Sequence, residues 1–140
     1  MQFNGLEPLR DGFPTTQLVT VEHKFDLHND ADLREIVVDF LTGELRLAWT
    51  VKPPAWNDPS RSEAQQRKTA AGFILSFSGV RTVAMAGSFL STNHDDDRTI
   101  DFLEYSRVGN GLGRMRIVLE NESEVEIVAS RCNLVLVELR

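Results

Sequence analysis

Two clusters of ionisable side chains and one glycine-rich stretch are the places where residue type and spacing in this chain could do chemistry. The first, His23-Lys24-Phe25-Asp26-Leu27-His28-Asn29-Asp30-Ala31-Asp32, gathers two histidines and three aspartates. Imidazole and carboxylate together make a ligand set for a divalent metal. Asp26 and His28 share a face only on a strand that runs past Asn29-Asp30, and that dipeptide reads as a turn. Short polar side chains at turns bond nearby backbone N–H groups, so Asp30 and Asp32 are expected to turn or cap the chain. His28 and Asp30 are carried forward as candidate binding residues, and no metal site is assigned.

The second cluster, His94-Asp95-Asp96-Asp97, could supply ligands or a general base. It lacks the spaced oxygens, glycine and closing glutamate of a helix–loop–helix calcium site, and three adjacent aspartates read as a solvated loop. Gly109-Asn110-Gly111-Leu112-Gly113-Arg114 has the look of a phosphate loop. A dinucleotide fingerprint needs a helix N-terminus after it to hold the pyrophosphate. Here Arg114 to Glu120 alternates as a strand, so a flexible connection between strands is expected.

Nucleophiles are sparse. Cys132 is the only cysteine; it stands in the apolar run Cys132-Asn133-Leu134-Val135-Leu136-Val137 with no histidine near in sequence, and reads as a small buried thiol. Ser76, Ser78, Ser88 and Ser91 sit in no nucleophile-elbow pattern, and His23, His28 and His94 are the only histidines. No catalytic residue and no cofactor is assigned, and an enzyme is the minority reading. Trp56, within Lys52-Pro53-Pro54-Ala55-Trp56-Asn57-Asp58-Pro59-Ser60, is the third candidate binding residue. A loop tryptophan can anchor a partner, or lie back as a lid over the core.

The elements that must position these residues are strands. Ile36, Val38 and Phe40 alternate with Val37 and Asp39, and Leu45, Leu47, Trp49 and Val51 alternate with Glu44, Arg46, Ala48 and Thr50 after Thr42-Gly43. Period two on both sides of a glycine predicts a hairpin. A two-residue loop at Thr42-Gly43 sets Phe40 opposite Leu45, Val38 opposite Leu47 and Ile36 opposite Trp49. A second hairpin, looping at Asn121-Glu122-Ser123, sets Leu119 by Val125, Ile117 by Ile127, Arg116 by Val128 and Glu120 by Glu124. Further strands are expected at Leu18 to Phe25, Phe73 to Phe77, Val80 to Met85, Ile100 to Tyr105 and, more buried, Leu134 to Leu139. A short helical turn is expected near Ser62 to Ala71, with Ser62 as N-cap. Lys52 to Ser60 and Gly87 to Arg98 read as loops, the first because its prolines cannot donate to a ladder.

Length and composition bound the rest. A chain of 140 residues, 41% hydrophobic, fits one domain over 1–140 with a core of its own. Its net charge of −6 argues against phosphate-backbone binding, so nucleic acid is not expected as a partner. The first residues lack a basic start and an apolar run, no stretch approaches a membrane span, and Asn121-Glu122-Ser123 reads as a turn, not a glycosylated sequon. Cytoplasm is the expected compartment.

Leu27 to Ile36, running into the first hairpin, resembles the opening of small bacterial β-rich domains of unassigned function, some of them grouped as immunity proteins of toxin systems. Those begin with a leucine–histidine–aspartate step, and later carry a phrase like Phe77-Ser78-Gly79-Val80 and terminal strands like Val125 to Leu139. Asn29 separates His28 from Asp30 here, so no functional residue is carried over from the resemblance.

The expectation is a mostly β fold: an antiparallel sandwich or barrel-like sheet of about eight strands, with one short helix at most. The function it favours is a non-catalytic protein-interaction module, conceivably of immunity type, whose partner is another protein or a second copy. The alternative is a small-ligand or metal-binding protein, conceivably an enzyme.

Overall fold

The computed structural model describes residues 1–51, 70–89 and 99–138. The alternating runs become strands throughout. In chain order these are β1 (Gln2–Asn4), β2 (Pro14–Thr15), β3 (Gln17–Val19), β4 (Lys24–Asp26), β5 (Ala31–Asp39) and β6 (Glu44–Val51). They continue as β7 (Ala70–Ser78), β8 (Thr82–Ala86), β9 (Ile100–Gly109), β10 (Leu112–Leu119), β11 (Glu124–Ala129) and β12 (Arg131–Glu138).

One five-stranded sheet runs β1-β12-β7-β6-β5, a second runs β2-β9-β10-β11-β8, and β3-β4 form a separate pair. The sheets do not close into a barrel, so the sandwich alternative holds. Two expectations need correction. The described residues contain twelve strands, several only two or three residues long, where the sequence suggested about eight. The β1–β12 pair is parallel, Gln2 lying against Arg131 and Asn4 against Asn133, so the fold is not purely antiparallel. No helix occurs among the described residues; most of the expected turn at Ser62 to Ala71 lies outside them, and Ala70 and Ala71 already belong to β7.

A single apolar cluster joins the sheets. Leu45, Leu47 and Trp49 come from β6, and Phe73, Leu75 and Phe77 from β7. Met115 and Ile117 on β10 and Val125 and Ile127 on β11 meet them from the other sheet. Each such side chain contributes roughly 1.5–3 kcal/mol relative to standing in water. Trp49 stacks on Phe73 at 5.0 Å and Phe73 on Phe25 at 4.8 Å, which ties β4 to the first sheet.

Both hairpin registers differ from expectation by two residues. Val38 faces Leu45 and Ile36 faces Leu47, because the first loop is Phe40-Leu41-Thr42-Gly43. In the second hairpin Ile117 faces Val125, and Met115 faces Ile127. Arg116 therefore lies opposite Glu126, not Val128, and Glu120 does not meet Glu124. Instead Arg116 pairs with Glu124 and Arg114 with Glu126 across the outer face. The physical reason is turn chemistry: Glu122 takes a left-handed φ of 69°, and the Glu122 N–H donates to the Leu119 carbonyl at 3.0 Å, which closes the loop earlier.

Three smaller readings also change. Leu18 to Phe25 is not one strand, because Thr20 and His23 close a turn between β3 and β4 that leaves Val21 fully exposed. Gly109 to Arg114 connects two strands as expected, but through a defined turn: Asn110 and Gly111 have φ of 56° and 76°, the primed hairpin geometry that Asn-Gly favours. The last strand is buried on one face only, with Cys132 and Leu134 inside and Val135 and Val137 facing solvent; Leu139 lies outside the described residues.

Candidate functional site

Of the residues singled out by sequence, His28 is the one whose partners are now visible. Asp26 ends β4, and its Oδ1 accepts the backbone N–H groups of His28 at 3.0 Å and Asn29 at 3.2 Å. Its Oδ2 accepts from the Asn29 side chain at 2.9 Å. Burial pushes the Asp26 carboxyl up, but the donors of Asn29 and His28 outweigh it and hold the group below its ordinary value. This capped corner aims the His28 ring across to the second sheet. Nδ1 lies 3.0 Å from the Ile100 carbonyl, and Nε2 lies 3.2 Å from Glu120 Oε1. A carbonyl only accepts, so Nδ1 carries the hydrogen there.

Asp30 is exposed, and its backbone N–H donates to the Asp26 carbonyl at 2.8 Å. The structure thus brings His28 to Glu120, not to Asp30. Among the described residues no three His, Cys, Asp or Glu side chains converge as a metal site. The His28 contacts are those of a pin between the β4–β5 corner and the β10–β11 loop. Trp56 and His94 to Asp97 lie outside the described residues. Cys132 is buried, and burial pushes its thiol up to about 12, which leaves it without a reactive thiolate near neutral pH.

The feature that sequence reasoning missed is the β5–β6 tip. Phe40 was expected in the core opposite Leu45, yet it is 93% exposed, and Leu41 is 98% exposed. The loop that carries them is tightly tied. Asp39 Oδ1 accepts the N–H of Leu41 at 2.9 Å and of Thr42 at 3.2 Å, and the Gly43 N–H donates to the Asp39 carbonyl at 3.0 Å. Gly43 has φ of 68°, a left-handed position where a side chain is strained. The backbone donors of Thr42 and Leu41 hold the Asp39 carboxyl below its ordinary value, with a smaller pull from Arg46. The Gly43 carbonyl also accepts from Val80 N–H at 3.4 Å, which anchors the tip to the β7–β8 turn.

The signal was present in the residues. An aspartate able to accept from the amides two and three residues on, with a glycine four positions on, specifies a four-residue loop. Around the tip the charge is acidic, since Asp39 and Glu44 pair directly across its base. The arrangement can present two large apolar side chains to another surface.

No protein-family model matches this chain, and no curated protein matches it.

Proposed function

We propose that this protein is a non-catalytic protein-interaction module that docks a partner on the β5–β6 tip. The observation that carries the reading is Phe40 and Leu41 standing together in water on an ordered loop. Leaving two such side chains exposed forgoes roughly 1.5–3 kcal/mol each. Holding the loop in one conformation beforehand lowers the ordering cost of association, and an aromatic anchor is what a partner's apolar pocket takes up. With Asp39 and Glu44 at the base and a net charge of −6, the complementary partner surface is an apolar pocket with a cationic rim. The resemblance to immunity proteins supplies the partner class within this proposal: a toxin whose working surface the chain covers.

The test is a photo-crosslinking residue placed at Leu41 in the full chain, in its own cells, with Val21 as the control position of equal exposure. The expected result is one discrete covalent adduct from position 41 that disappears when Phe40→Ser is added. Adducts from position 41 no more abundant or discrete than those from position 21 would refute the reading.

A further inference from the structure

At the end of the sandwich where β1 meets the β9–β10 hairpin, a cleft of about 400 Å³ opens between the sheets. That volume lies within the range that small-molecule sites occupy. Its walls are apolar: Met1 and Phe3 from β1, and Pro8 and Leu9 from the segment that follows. Leu112 and the Tyr105 ring close the opposite side. The ring is held by packing. Phe3 meets it edge-on at 5.0 Å and 82°. Gly113 lies beneath it, so closely that an added Cβ would stand 2.4 Å from Tyr105 Cε2 and 2.7 Å from Met1 Cβ. Only a residue without a side chain lets the tyrosine lie across β10 there.

Two polar groups serve this apolar recess. The Tyr105 residue is 4% exposed, and its hydroxyl has no hydrogen-bond partner among the described residues. Among the described residues Arg107 supplies the one charged side chain lining the cleft, and its guanidinium makes no ion pair. Asp11 stands near by, with its carboxylate accepting the Arg107 backbone N–H at 2.7 Å. A free cation and a free hydroxyl at the edge of an apolar recess, on a chain of net charge −6, match one kind of small molecule.

We infer that this cleft binds a small organic carboxylate with an apolar tail. The tail lies against Phe3, Leu9 and Leu112, the carboxylate accepts from Arg107, and the Tyr105 hydroxyl donates to the same group. The site is separate from the β5–β6 tip and does not depend on the function proposed for it.

Three probes with the same tail and different heads test it: hexanoate, hexanol and hexylammonium, each titrated into the full chain and followed by amide chemical shifts. Saturable shifts at Tyr105, Arg107 and Leu112 are expected with hexanoate, at an affinity at least about tenfold above hexanol, and none with hexylammonium. Arg107→Gln should abolish that preference and Arg107→Lys should keep part of it. Leu112→Trp should fill the recess and remove binding of every probe while the thermal transition stays in place. Absence of saturable shifts with hexanoate, equal response to hexanol, or an unchanged preference in Arg107→Gln would overturn the inference.

Discussion

The β5–β6 and β9–β10 hairpins reverse the chain equally well, yet they end very differently. Asn110-Gly111 turns in two residues with no large apolar side chain in the turn, Val108 of β9 standing half-exposed before it, whereas Phe40 to Gly43 uses four and sets a phenylalanine and a leucine in solvent. Chain reversal therefore does not require the exposed pair. The longer loop is specified by its own groups, the Asp39 carboxylate and the left-handed Gly43, so the exposure is built in and is not a failure of packing. A turn of this kind separates what closes a sheet from what the sheet displays.

Substitutions along one hairpin should break or sharpen that separation, and the largest effect belongs to the residue behind the tip. Leu45 is fully buried opposite Val38, and Leu45→Ala should cost about 2–5 kcal/mol. Phe40→Ala, in the loop beside that pair, should change stability by less than about 0.5 kcal/mol, and urea unfolding measures both. Near-equal losses would mean that the tip belongs to the core after all.

Intermediate effects should come from the turns themselves, with opposite signs in two loops. An added Cβ at Gly43 meets open space, so Gly43→Ala pays only for its left-handed backbone, about 1–2 kcal/mol. Glu122 already bears that strain at φ 69°, and Glu122→Gly should gain up to about 1 kcal/mol, less the flexibility glycine adds to the unfolded chain. Thermal melts of the two variants should move in opposite directions.

These turns also explain what the sequence made legible. Period-two alternation set Leu45, Leu47 and Trp49 on one face and marked Phe73 to Phe77 as a strand, and Leu45, Leu47, Trp49, Phe73, Leu75 and Phe77 are all buried. Those assignments survive a misplaced register because both hairpins slip by two residues, and an even slip keeps every side chain on its own face. The change of environment is largest at the loop, where Phe40 moves from the expected core to solvent, and it reaches back into β5, where Val38 is 38% exposed. The extra residues are set by groups that alternation does not see: a side-chain acceptor at Asp39 and a positive φ at Glu122.

The contacts of His28 were not legible in the sequence for a different reason. Its true partners, Ile100 and Glu120, come from the other sheet, and no local spacing points to them. Likewise the Tyr105 ring beside the cleft approaches β10 closely only because residue 113 is a glycine, a relation between two strands that neither one displays alone.

The central claim is that Phe40 and Leu41 stand exposed on an ordered loop, and nuclear magnetic resonance of the isolated chain tests it directly. The Leu41 and Thr42 amides should exchange slowly at neutral pH while the Phe40 ring shows no contact with the core. Because the folded Asp39 carboxyl is held below its ordinary value, its stabilisation is complete above the unfolded value, near pH 4. It is lost as pH falls through the depressed folded value, so protection at those two amides should fade there, and Asp39→Asn should remove that acid response. Rapid exchange of both amides at neutral pH, or a Phe40 ring in contact with Leu45 or Leu47, would contradict the account.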